Sequence, residues 1–586
     1  MSRARAAVPC TRAFFPPARV DRHMDIGLVG DGPAIEAASA ALGDVDVNAM
    51  PVEAAVLDGF DLAVVAGATG SAAFADADER LDRWIAVEVG GLGGVPIADL
   101  DAAVTVFSDA CYDCLRARVE SGGAESSAAP TGRRSAVRYA GALAGRRAVR
   151  LLAGDPVADS VSEVPGGERT LLPAPGCGCG SAPGDALPRD DVDRDLSEAI
   201  DRAERAVDAR IGALSEVGER ESFPVPYYVA RVADTGPFSD GDAAAFGGGA
   251  AADWDVAFMK ALGEGLERYA AGVYREASFA RAPAADAVNP VAPDAFVRPD
   301  DAAAYDRTDR IAWVRGESLA TGEPASLPAE FVHFAPPERR YRPPITTGLG
   351  LGGSGPEAAL SGLYETVERD ATMTSWYSTT APLGLAVDDA GFTALAKRAR
   401  AESLSATALL VTTDVDVPVV AAAVERDGDW PRFAAGSSAD LDPAAAARGA
   451  LAEALQNWTE LRSMGRDAAA EQGAAIGRHA DRPAETAAFF DPDATVSAEG
   501  LGDPELTGSA ALSAVVDRVT AAGLDPYVAR VTTRDLAALG FEAVRVLVPG
   551  AQPLFTGDPF FGDRAREVPR SMGFEPELGR PYHPFP

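Results

Sequence analysis

The sequence predicts an α/β protein of more than one domain, and three observations support this. The chain has 586 residues, which is long for a single hydrophobic core. From Met24, the letters "MDIGLVGDGPAIEAASAAL" show an apolar run, a glycine-rich turn and a helical stretch. Beyond residue 192, apolar strand patterns alternate with alanine-rich helical ones. We therefore expect an α/β domain at residues 24–185 and a large α+β domain at residues 192–586.

Two further apolar runs extend the first domain. "FDLAVVAG" (60–67) and "RWIAVEVGG" (83–91) are typical of buried parallel strands, so a Rossmann-type fold is predicted. The turn after the first strand carries Gly27, Gly30 and Gly32 but lacks the third glycine of the dinucleotide motif G-x-G-x-x-G. It is therefore weak evidence for nucleotide binding.

Four of the five cysteines form two close pairs, Cys111 with Cys114 and Cys177 with Cys179. A linker rich in Ser, Gly, Ala and Pro at about 121–135 lies between the pairs. Two such pairs supply the four thiolates of a tetrahedral zinc site, whereas a cytosolic disulfide is disfavoured. Unrelated buried cysteines are the alternative. We predict structural zinc, since four thiolates leave no open position for catalysis.

Composition excludes several kinds of partner. The net charge of −35 and pI of about 4.5 oppose bulk attraction to nucleic acid or anionic membranes. No apolar run approaches the roughly 20 residues of a membrane helix. Only two basic residues are lysines, Lys260 and Lys397, and we expect such an acidic, lysine-poor chain in a halophilic protein. Residues 1–23 lack the apolar core of a signal peptide, which predicts a disordered tail or mis-assigned start and a cytoplasmic protein.

Three helical segments of the second domain repeat one acidic spacing. Residues three apart share a helix face, and the neighbouring residues are largely apolar, so we expect half-buried acids. A solvated helix surface explains any single copy, but it does not explain the recurrence. The copies are Glu264, Glu267 and Arg268; Glu365, Glu368 and Arg369; and Glu453 with Gln456.

A segment rich in glycine or serine precedes each acidic helix: "FGGGAAADW", "TTGLGLGGSG" and "FAAGSSADLD". We predict that these segments are loops whose backbone N–H groups, together with the helix N-termini, suit phosphate. Half-buried carboxylates that face phosphate need a cation between them, and Mg²⁺ prefers such oxygen ligands. The pattern therefore predicts a composite phosphate and Mg²⁺ site.

The second domain resembles the YcaO family over residues 192–586. "GEGLERY", "GLYETVERDA", "ALAEALQ" and "VLVPGAQPL" occur in the family's order, and "WVRGESLATGEPASLPAEFV" (313–332) matches the segment ahead of its second glycine loop. The resemblance implies an enzyme that uses ATP and Mg²⁺ to activate a peptide amide oxygen as a phosphorylated intermediate. It also implies that the five glutamates are metal or phosphate ligands, and that Gln456, Arg268 and Arg369 contact the nucleotide.

The N-terminal part is similar to the ThiF-like domain of azole-forming cyclodehydratases, on the residues "DACYDCL" and "PAPGCGCG". In those enzymes this domain carries a Cys-x-x-Cys zinc site, accompanies a YcaO domain and serves peptide presentation. The resemblance implies that the glycine turn need not bind a nucleotide. The short N-terminus lacks the winged-helix segment of many fused cyclodehydratases, so we expect leader-peptide capture to need a separate partner.

The chain departs from the YcaO pattern around the predicted nucleotide site. Lys260 stands where the family has serine, and Gly-Gly-Gly at 247–249 replaces a Gly-Lys-Gly loop. We hypothesise that Lys260 takes over the phosphate contact of the missing loop lysine. Thr-Thr-Gly at 346–348 replaces Ser-Asn-Gly, and Trp458 replaces an arginine, with Arg462 one turn later.

The chain ends in "PYHPFP", and azole-forming members often end in Pro-x-Pro-x-Pro. Pro584 and Pro586 match this pattern, while Tyr582 occupies the first position. The resemblance places the terminal carboxylate of Pro586 and the side chain of His583 near the substrate as proton-transfer groups. A flexible polar tail is the alternative.

The leading functional interpretation is cyclodehydration of Cys, Ser or Thr to azolines in a ribosomally made peptide, as in bacteriocin biosynthesis. Peptide thioamidation is a second interpretation, and it requires an external sulfur donor and usually a partner protein. A non-catalytic, zinc-stabilised scaffold that presents a peptide is a third. We expect a peptide or protein substrate, a homodimer, and neither nucleic-acid nor membrane partners.

Overall fold

A computed structural model of the chain shows a mixed α/β protein, as the sequence predicts. The tail expected at residues 1–23 lies outside the part of the chain that the structure describes. The described residues are 24–123, 129–155, 157, 159–472 and 475–586.

The chain divides into two compact units. The first unit spans Met1–Ser108 and Ser126–Glu168, and the second spans Asp109–Glu125 and Arg169–Pro586. This grouping assigns the segment around Cys111 to the second unit, whereas the sequence analysis placed it in the N-terminal domain. The domain boundaries expected from sequence stay a prediction.

The first unit contains a large mixed sheet and a short hairpin. Its strands are β1 (Asp25–Val29), β2 (Asn48–Pro51), β3 (Leu62–Ala68), β4 (Trp84–Val89), β5 (Gly91–Leu92), β6 (Val95–Pro96), β7 (Ala102–Phe107) and β8 (Ser160–Val164), and β9 (Glu168–Thr170) begins at its last residue. The large sheet has the order β2-β1-β3-β4-β7-β8-β9. Parallel pairing of β1 with β3 and of β3 with β4 confirms the predicted strands. β7 and β8 add antiparallel pairs, so the sheet is not wholly parallel.

The helices up to residue 152 are α1 (Gly32–Leu42), α2 (Ala72–Asp78), α3 (Tyr112–Ser121) and α4 (Arg134–Leu152). α3 belongs to the second unit and the others to the first. α1 packs against α4 where Gly141 replaces a side chain, because a Cβ there would lie 2.0 Å from the Ala34 carbonyl oxygen. This contact closes one face of the first unit's sheet over an apolar core.

The described part of the second unit contains sheets of three, six and five strands. Its strands are β10 (Leu214–Glu221), β11 (Tyr227–Val232), β12 (Phe246–Ala250), β13 (Ala280–Ala282), β14 (Ile311–Ser318), β15 (Pro324–Pro328), β16 (Leu349–Gly352), β17 (Leu383–Ala386), β18 (Ser405–Leu410), β19 (Val419–Glu425), β20 (Phe433–Ala439), β21 (Thr495–Ser497), β22 (Tyr527–Arg530) and β23 (Glu542–Leu547). The sheet orders are β10-β11-β12, β13-β14-β22-β23-β16 with β15 on β14, and β20-β19-β18-β17-β21.

Helices of the second unit follow or connect these strands. They are α5 (Leu196–Glu204), α6 (Trp254–Gly272), α7 (Ala329–Val332), α8 (Gly355–Trp376), α9 (Ala390–Ala401), α10 (Pro443–Met464), α11 (Arg466–Gln472), α12 (Ala475–His479), α13 (Ala484–Phe489), α14 (Gly508–Ala521), α15 (Arg534–Leu539) and α16 (Arg564–Ser571).

Three strand–helix pairs carry the acidic helices. α6 follows and packs on β12, α8 on β16, and α10 on β20. Glycines make the contacts close, since a Cβ on Gly249 would lie 2.3 Å from Ala261 N and one on Gly436 would lie 2.6 Å from Ala454 N. The predicted loops are therefore wrong for most of the first and third segments, and in the second segment (346–355) the strand is limited to Leu349–Gly352. These small residues form strands that touch helix backbone.

The apolar residues of the acidic helices enter separate hydrophobic cores, which explains why the acids stand on apolar helices. Leu363 and Val367 of α8 lie in one core, Leu262 and Leu266 of α6 in a second, and Leu451 and Leu455 of α10 in a third.

No helix among the described residues combines the length and the apolar content that crossing a lipid bilayer requires.

Candidate functional site

The first glutamate of each repeated acidic motif accepts a backbone hydrogen bond from the chain ahead of its helix. Each donor lies in, or directly before, the strand that packs on the helix, so one geometry is built three times. These backbone N–H groups were predicted to bind phosphate. In this structure they orient carboxylates instead. The pairs are Gly248 N to Glu264 Oε2 at 2.5 Å, Gly348 N to Glu365 Oε2 at 2.9 Å and Ser437 N to Glu453 Oε2 at 2.6 Å.

The second and third acidic helices meet at Ser437. Its backbone N–H binds Glu453, and its hydroxyl donates to Glu368 Oε1 at 2.6 Å. Arg369 adds a positive charge at the same place, 3.7 Å from Glu368 and 3.9 Å from Glu365. Four predicted site residues from two helices therefore form one cluster.

Arg268 and Gln456, the other predicted nucleotide contacts, each bind an acid of their own helix. Arg268 Nε donates to Glu264 Oε1 at 3.0 Å. Gln456 Nε2 donates to Glu460 Oε1 at 3.0 Å, and the Tyr227 hydroxyl donates to the same oxygen at 2.8 Å. Glu460 was missed in the sequence, although it lies one helical turn beyond Gln456.

A cavity of about 570 Å³ opens beside the first acidic helix. Lys260, Glu264 and Glu267 of α6 line it, together with Ser361 of α8 and Arg194 ahead of α5. Charged groups of both signs thus face the same space. Apolar residues complete the lining, among them Leu196, Val256, Met259, Leu351 and Phe541.

Burial and crowding raise the pKa values of three site glutamates. Burial is the main cause for Glu267, Glu368 and Glu453, and neighbouring carboxylates add to it. The pKa of Glu453 is raised to about 7, although Arg369 opposes the rise. Buried acids of this kind take up protons or cations. Their oxygen donors fit Mg²⁺, a hard cation that binds carboxylates and phosphates.

Arg545 is a further site residue that the sequence analysis missed. It is 1% exposed on β23, and its guanidinium donates to the carbonyl oxygens of Ile345 and Thr346, each at 2.9 Å. The carboxylates of Glu365 and Glu267 favour its charged form, but burial outweighs them and lowers its pKa to about 10. The sequence feature that could have indicated this residue is a lone arginine inside the apolar run "EAVRVLV".

The residues that depart from the family pattern have different surroundings. Trp458 is fully buried and its indole N–H donates to the Pro431 carbonyl oxygen at 3.1 Å. Arg462 stacks 4.7 Å from the Trp458 ring and pairs with Glu221 at 3.2 Å. Its ion pairs are therefore not with the predicted ligands. Lys260 lines the cavity, and the negative charge of Glu453 favours its charged form.

The C-terminal residues are packed rather than free. Phe585 is fully buried, and Arg369 donates to the Pro586 oxygen at 2.6 Å, which brings the chain end to the acidic helices. His583 is 1% exposed and bonds through Nε2 to the Phe555 carbonyl oxygen at 2.9 Å. Burial lowers the pKa of His583 to about 4, so its ring is neutral near pH 7.

The four predicted zinc ligands come together within the second unit. Their sulfur atoms all lie within 4.8 Å of one another, with separations of 3.6 Å for Cys111–Cys114, 3.4 Å for Cys111–Cys177 and 3.5 Å for Cys114–Cys179. Bonds of about 2.3 Å from zinc to four thiolates require sulfur separations of about 3.8 Å. The arrangement therefore fits zinc. Arg534 donates to Cys179 Sγ at 3.2 Å and would offset part of the thiolate charge.

Solved structures with a similar fold include two heterocyclases. A "heterocyclase in complex with substrate and cofactor" aligns with a TM-score of 0.69 and 18% identity, covering 94% of this chain and 83% of that one. The "heterocyclase TruD" aligns with a TM-score of 0.60 and 17% identity, covering 94% and 82%. At these identities the likeness shows the fold.

A curated relative and a family match provide sequence evidence. An "uncharacterized protein in tfuA 3'region" of Rhizobium leguminosarum bv. trifolii is 27% identical over 271 residues, which cover 42% of this chain and 62% of the relative. The chain thus spans less than two thirds of that relative. The family described as "YcaO cyclodehydratase, ATP- and Mg²⁺-binding" matches residues 248–552, just over half of the 586 residues. The chain belongs to the YcaO family.

Proposed function

We propose that this protein uses ATP and Mg²⁺ to activate a backbone amide of a peptide and cyclodehydrates Cys, Ser or Thr to azolines. Membership of the YcaO family supports ATP-dependent cyclodehydration in general. One observation carries the proposal: the hydrogen bond from a preceding N–H to the first glutamate, built three times. It holds acids from three separate chain segments in fixed orientations, as a preorganised cation and phosphate site requires.

The proposed site has two sets of ligands. Mg²⁺ bound there would neutralise phosphate oxygens and act as a Lewis acid. The strand N–H groups and Ser437 keep the carboxylates in place before the ligand arrives. The proposed metal and phosphate ligands are Glu264, Glu267, Glu365, Glu368 and Glu453, and the proposed nucleotide contacts carried over from the family are Arg268, Arg369 and Gln456.

Pro586 is our candidate proton acceptor. The hydrogen bond that Arg369 donates to the Pro586 oxygen holds the end of the chain beside the acidic helices. There it would accept the proton of the attacking Cys, Ser or Thr side chain. The proton-transfer role of His583 stays a prediction, and its bond to the Phe555 carbonyl oxygen supports at least a role in positioning the tail.

Structural zinc on Cys111, Cys114, Cys177 and Cys179 belongs to the same proposal, supported by their converging thiols. The N-terminal part would act as a ThiF-like domain that presents the peptide. We further propose a halophilic, cytoplasmic homodimer. Leader capture or sulfur transfer would be supplied by a separate protein.

Thioamidation is the second candidate reaction, because the same amide activation serves a sulfur nucleophile.

A peptide-presenting scaffold without catalysis is supported by the altered residues Lys260 and Trp458. The raised pKa values of Glu267, Glu368 and Glu453 count against the scaffold. Crowded acids are costly to keep without a cation to bind.

Mass spectrometry separates these reactions. The purified protein is incubated in high salt with ATP, Mg²⁺ and peptides encoded beside its gene. A loss of about 18 Da indicates loss of water by cyclodehydration, and a gain of about 16 Da indicates replacement of oxygen by sulfur. An unchanged peptide mass without ATP turnover supports the scaffold and overturns the proposal.

Glu365→Gln tests the acidic site within that assay. We expect at least a roughly 100-fold loss of turnover, because even residues behind metal ligands are worth about 10–100-fold. Glu499→Gln, an exposed residue far along the sequence from the three helices, is the control and should keep full activity. Equal activity of the two variants would remove Glu365 from the site.

A further inference from the structure

Lys260 supplies an ammonium group to the cavity beside the first acidic helix. It belongs to α6, one helical turn before Glu264, and lines the space of about 570 Å³ together with Glu264 and Glu267. The chain has one other lysine, Lys397, which is exposed on α9. An ammonium in an acidic cavity is therefore unusual for this composition.

No described residue forms an ion pair or hydrogen bond with the Lys260 ammonium. Its strongest electrostatic partner is Glu453 of α10, which acts at longer range. The Lys260 side chain is exposed, so a ligand that enters the cavity can reach its ammonium. No described protein group therefore pairs with this charge, and an incoming oxyanion would form a charge-assisted contact with it.

The other cations near the acids are already engaged. Arg268 binds Glu264, Arg369 binds the Pro586 oxygen, and Arg545 binds two carbonyl groups. Arg194 also lines the cavity, but it donates to the Gly540 carbonyl oxygen at 3.0 Å. Lys260 can thus bind an anion without giving up a hydrogen bond.

We infer that Lys260 binds the polyphosphate of the nucleotide directly, as a specificity-determining residue of this chain. The glutamates would reach the phosphates through divalent cations, whereas the Lys260 ammonium, which lines the same cavity, would pair with phosphate oxygens directly. The inference rests on the proposed function, since the ligand is the triphosphate that this function consumes. Neutralising Glu453 alone is the competing role for Lys260.

Lysine footprinting tests the contact, because the full chain carries two lysines. The protein is acetylated with an amine-reactive ester, alone or with tripolyphosphate, adenosine, or ATP and Mg²⁺, and each lysine is quantified by peptide mass spectrometry. We expect ATP and tripolyphosphate to slow labelling of Lys260 by about tenfold, since a charge-assisted contact occupies the amine. Adenosine should have no effect, and Lys397 should label equally throughout.

Calorimetry on three variants gives the second measurement. Lys260→Met should weaken ATP binding by about 10–100-fold, the cost of losing a hydrogen bond to a charged group. Lys260→Arg should retain affinity within about threefold because it keeps the charge. Lys397→Met is the matched control and should bind like the parent, and equal melting temperatures verify that all variants fold.

The outcomes distinguish the inference from the function. ATP binding with unprotected Lys260, or with unchanged affinity in Lys260→Met, overturns the inference and leaves the proposed function standing. Absence of both ATP binding and protection by tripolyphosphate overturns both. Lowered stability in Lys260→Met with unchanged ATP affinity assigns Lys260 to neutralising Glu453.

Discussion

Glu453 shows how the surroundings of a single carboxylate set its chemistry. Burial and the nearby Glu368 raise its pKa, whereas Arg369, Lys260 and the N–H of Ser437 lower it. The balance leaves the pKa at about 7, so this carboxyl is protonated in about half of the molecules at neutral pH. Glu267 and Glu368 are shifted in the same direction for the same main reason.

This titration predicts pH-dependent binding of Mg²⁺ and ATP. Metal ligation requires the charged carboxylates, so affinity should rise as pH increases from 6 to 8, with protons released on binding. Calorimetry in two buffers of different ionisation enthalpy measures that release directly. Equal affinity and no proton release across this range would contradict the assignment of Glu453 as a ligand.

The same shift affects stability in the absence of ligand. A carboxyl whose pKa is raised in the folded state contributes stability that is present below its unfolded pKa and lost as pH rises through its folded pKa. For Glu453 the window runs from 4.5 to about 7. Because burial lowers the pKa of His583 to about 4 and gives the opposite trend over the same window, the parent is compared with Glu453→Gln. The melting temperature of the parent relative to that variant should fall from pH 4.5 to about 7. A constant difference between the two proteins across this window would argue against the raised pKa.

At the scale of elements, the strand–helix pair is the repeated unit of the site. Glycine at helix-facing strand positions lets the strand backbone touch the helix, as at Gly249 and Gly436. This close approach brings a strand N–H within hydrogen-bond distance of the first glutamate. The glycines therefore help to set the carboxylate geometry, and the segments predicted to be phosphate loops contain strands instead.

A comparison of Gly249→Ala with Gly218→Ala tests whether glycine is required for close packing against the helix or merely tolerated in the sheet. Both residues lie in the sheet β10-β11-β12, but a Cβ at Gly249 would lie 2.3 Å from Ala261 N, whereas nothing lies within 4 Å of one at Gly218. We expect Gly249→Ala to cost about 1–3 kcal/mol, as overpacking does, and to weaken ATP binding. Gly218→Ala should leave both unchanged. Chemical denaturation supplies the free energies, and equal costs for both variants would refute the close-packing account.

At the scale of the molecule, a buried polar network connects the cysteine cluster with the first acidic helix. Arg118 of α3 pairs with Asp535 of α15, and both bind the hydroxyl of Tyr269 on α6. All three side chains are buried. Arg534, next to Asp535, donates to Cys179. The second unit thus joins the proposed zinc centre to the helix that carries Glu264 and Glu267.

Breaking this network should destabilise the second unit. Arg118→Met leaves the Asp535 carboxylate buried without its cation, which typically costs about 3–5 kcal/mol. Arg116→Met on the same helix is the control, because the Arg116 side chain is 61% exposed and its removal should cost little. Urea unfolding followed by tryptophan fluorescence measures both. Similar midpoints for the two variants would show that the buried pair contributes no stability.

The zinc proposal is tested by metal analysis. We expect about one zinc per chain in protein purified without chelator, since four thiolates complete a tetrahedral site. Cys177→Ser should lower zinc content and melting temperature together, whereas Cys10→Ser, which changes the one cysteine outside the pairs, should leave both unchanged. Full zinc occupancy in Cys177→Ser would exclude that residue as a ligand.

The sequence by itself determined the α/β class, the first parallel strands, the four converging cysteines and the recurring glutamates. These features follow from local periodicity and residue chemistry, which a sequence displays directly. Only the tertiary structure decided that the glycine segments are strands, that Arg545 and Glu460 join the site, and that Pro586 reaches Arg369. These outcomes involve contacts between residues far apart in the chain, such as Tyr227 with Glu460 and Arg369 with Pro586, which are 233 and 217 positions apart. Packing sets such contacts, and no local pattern records them.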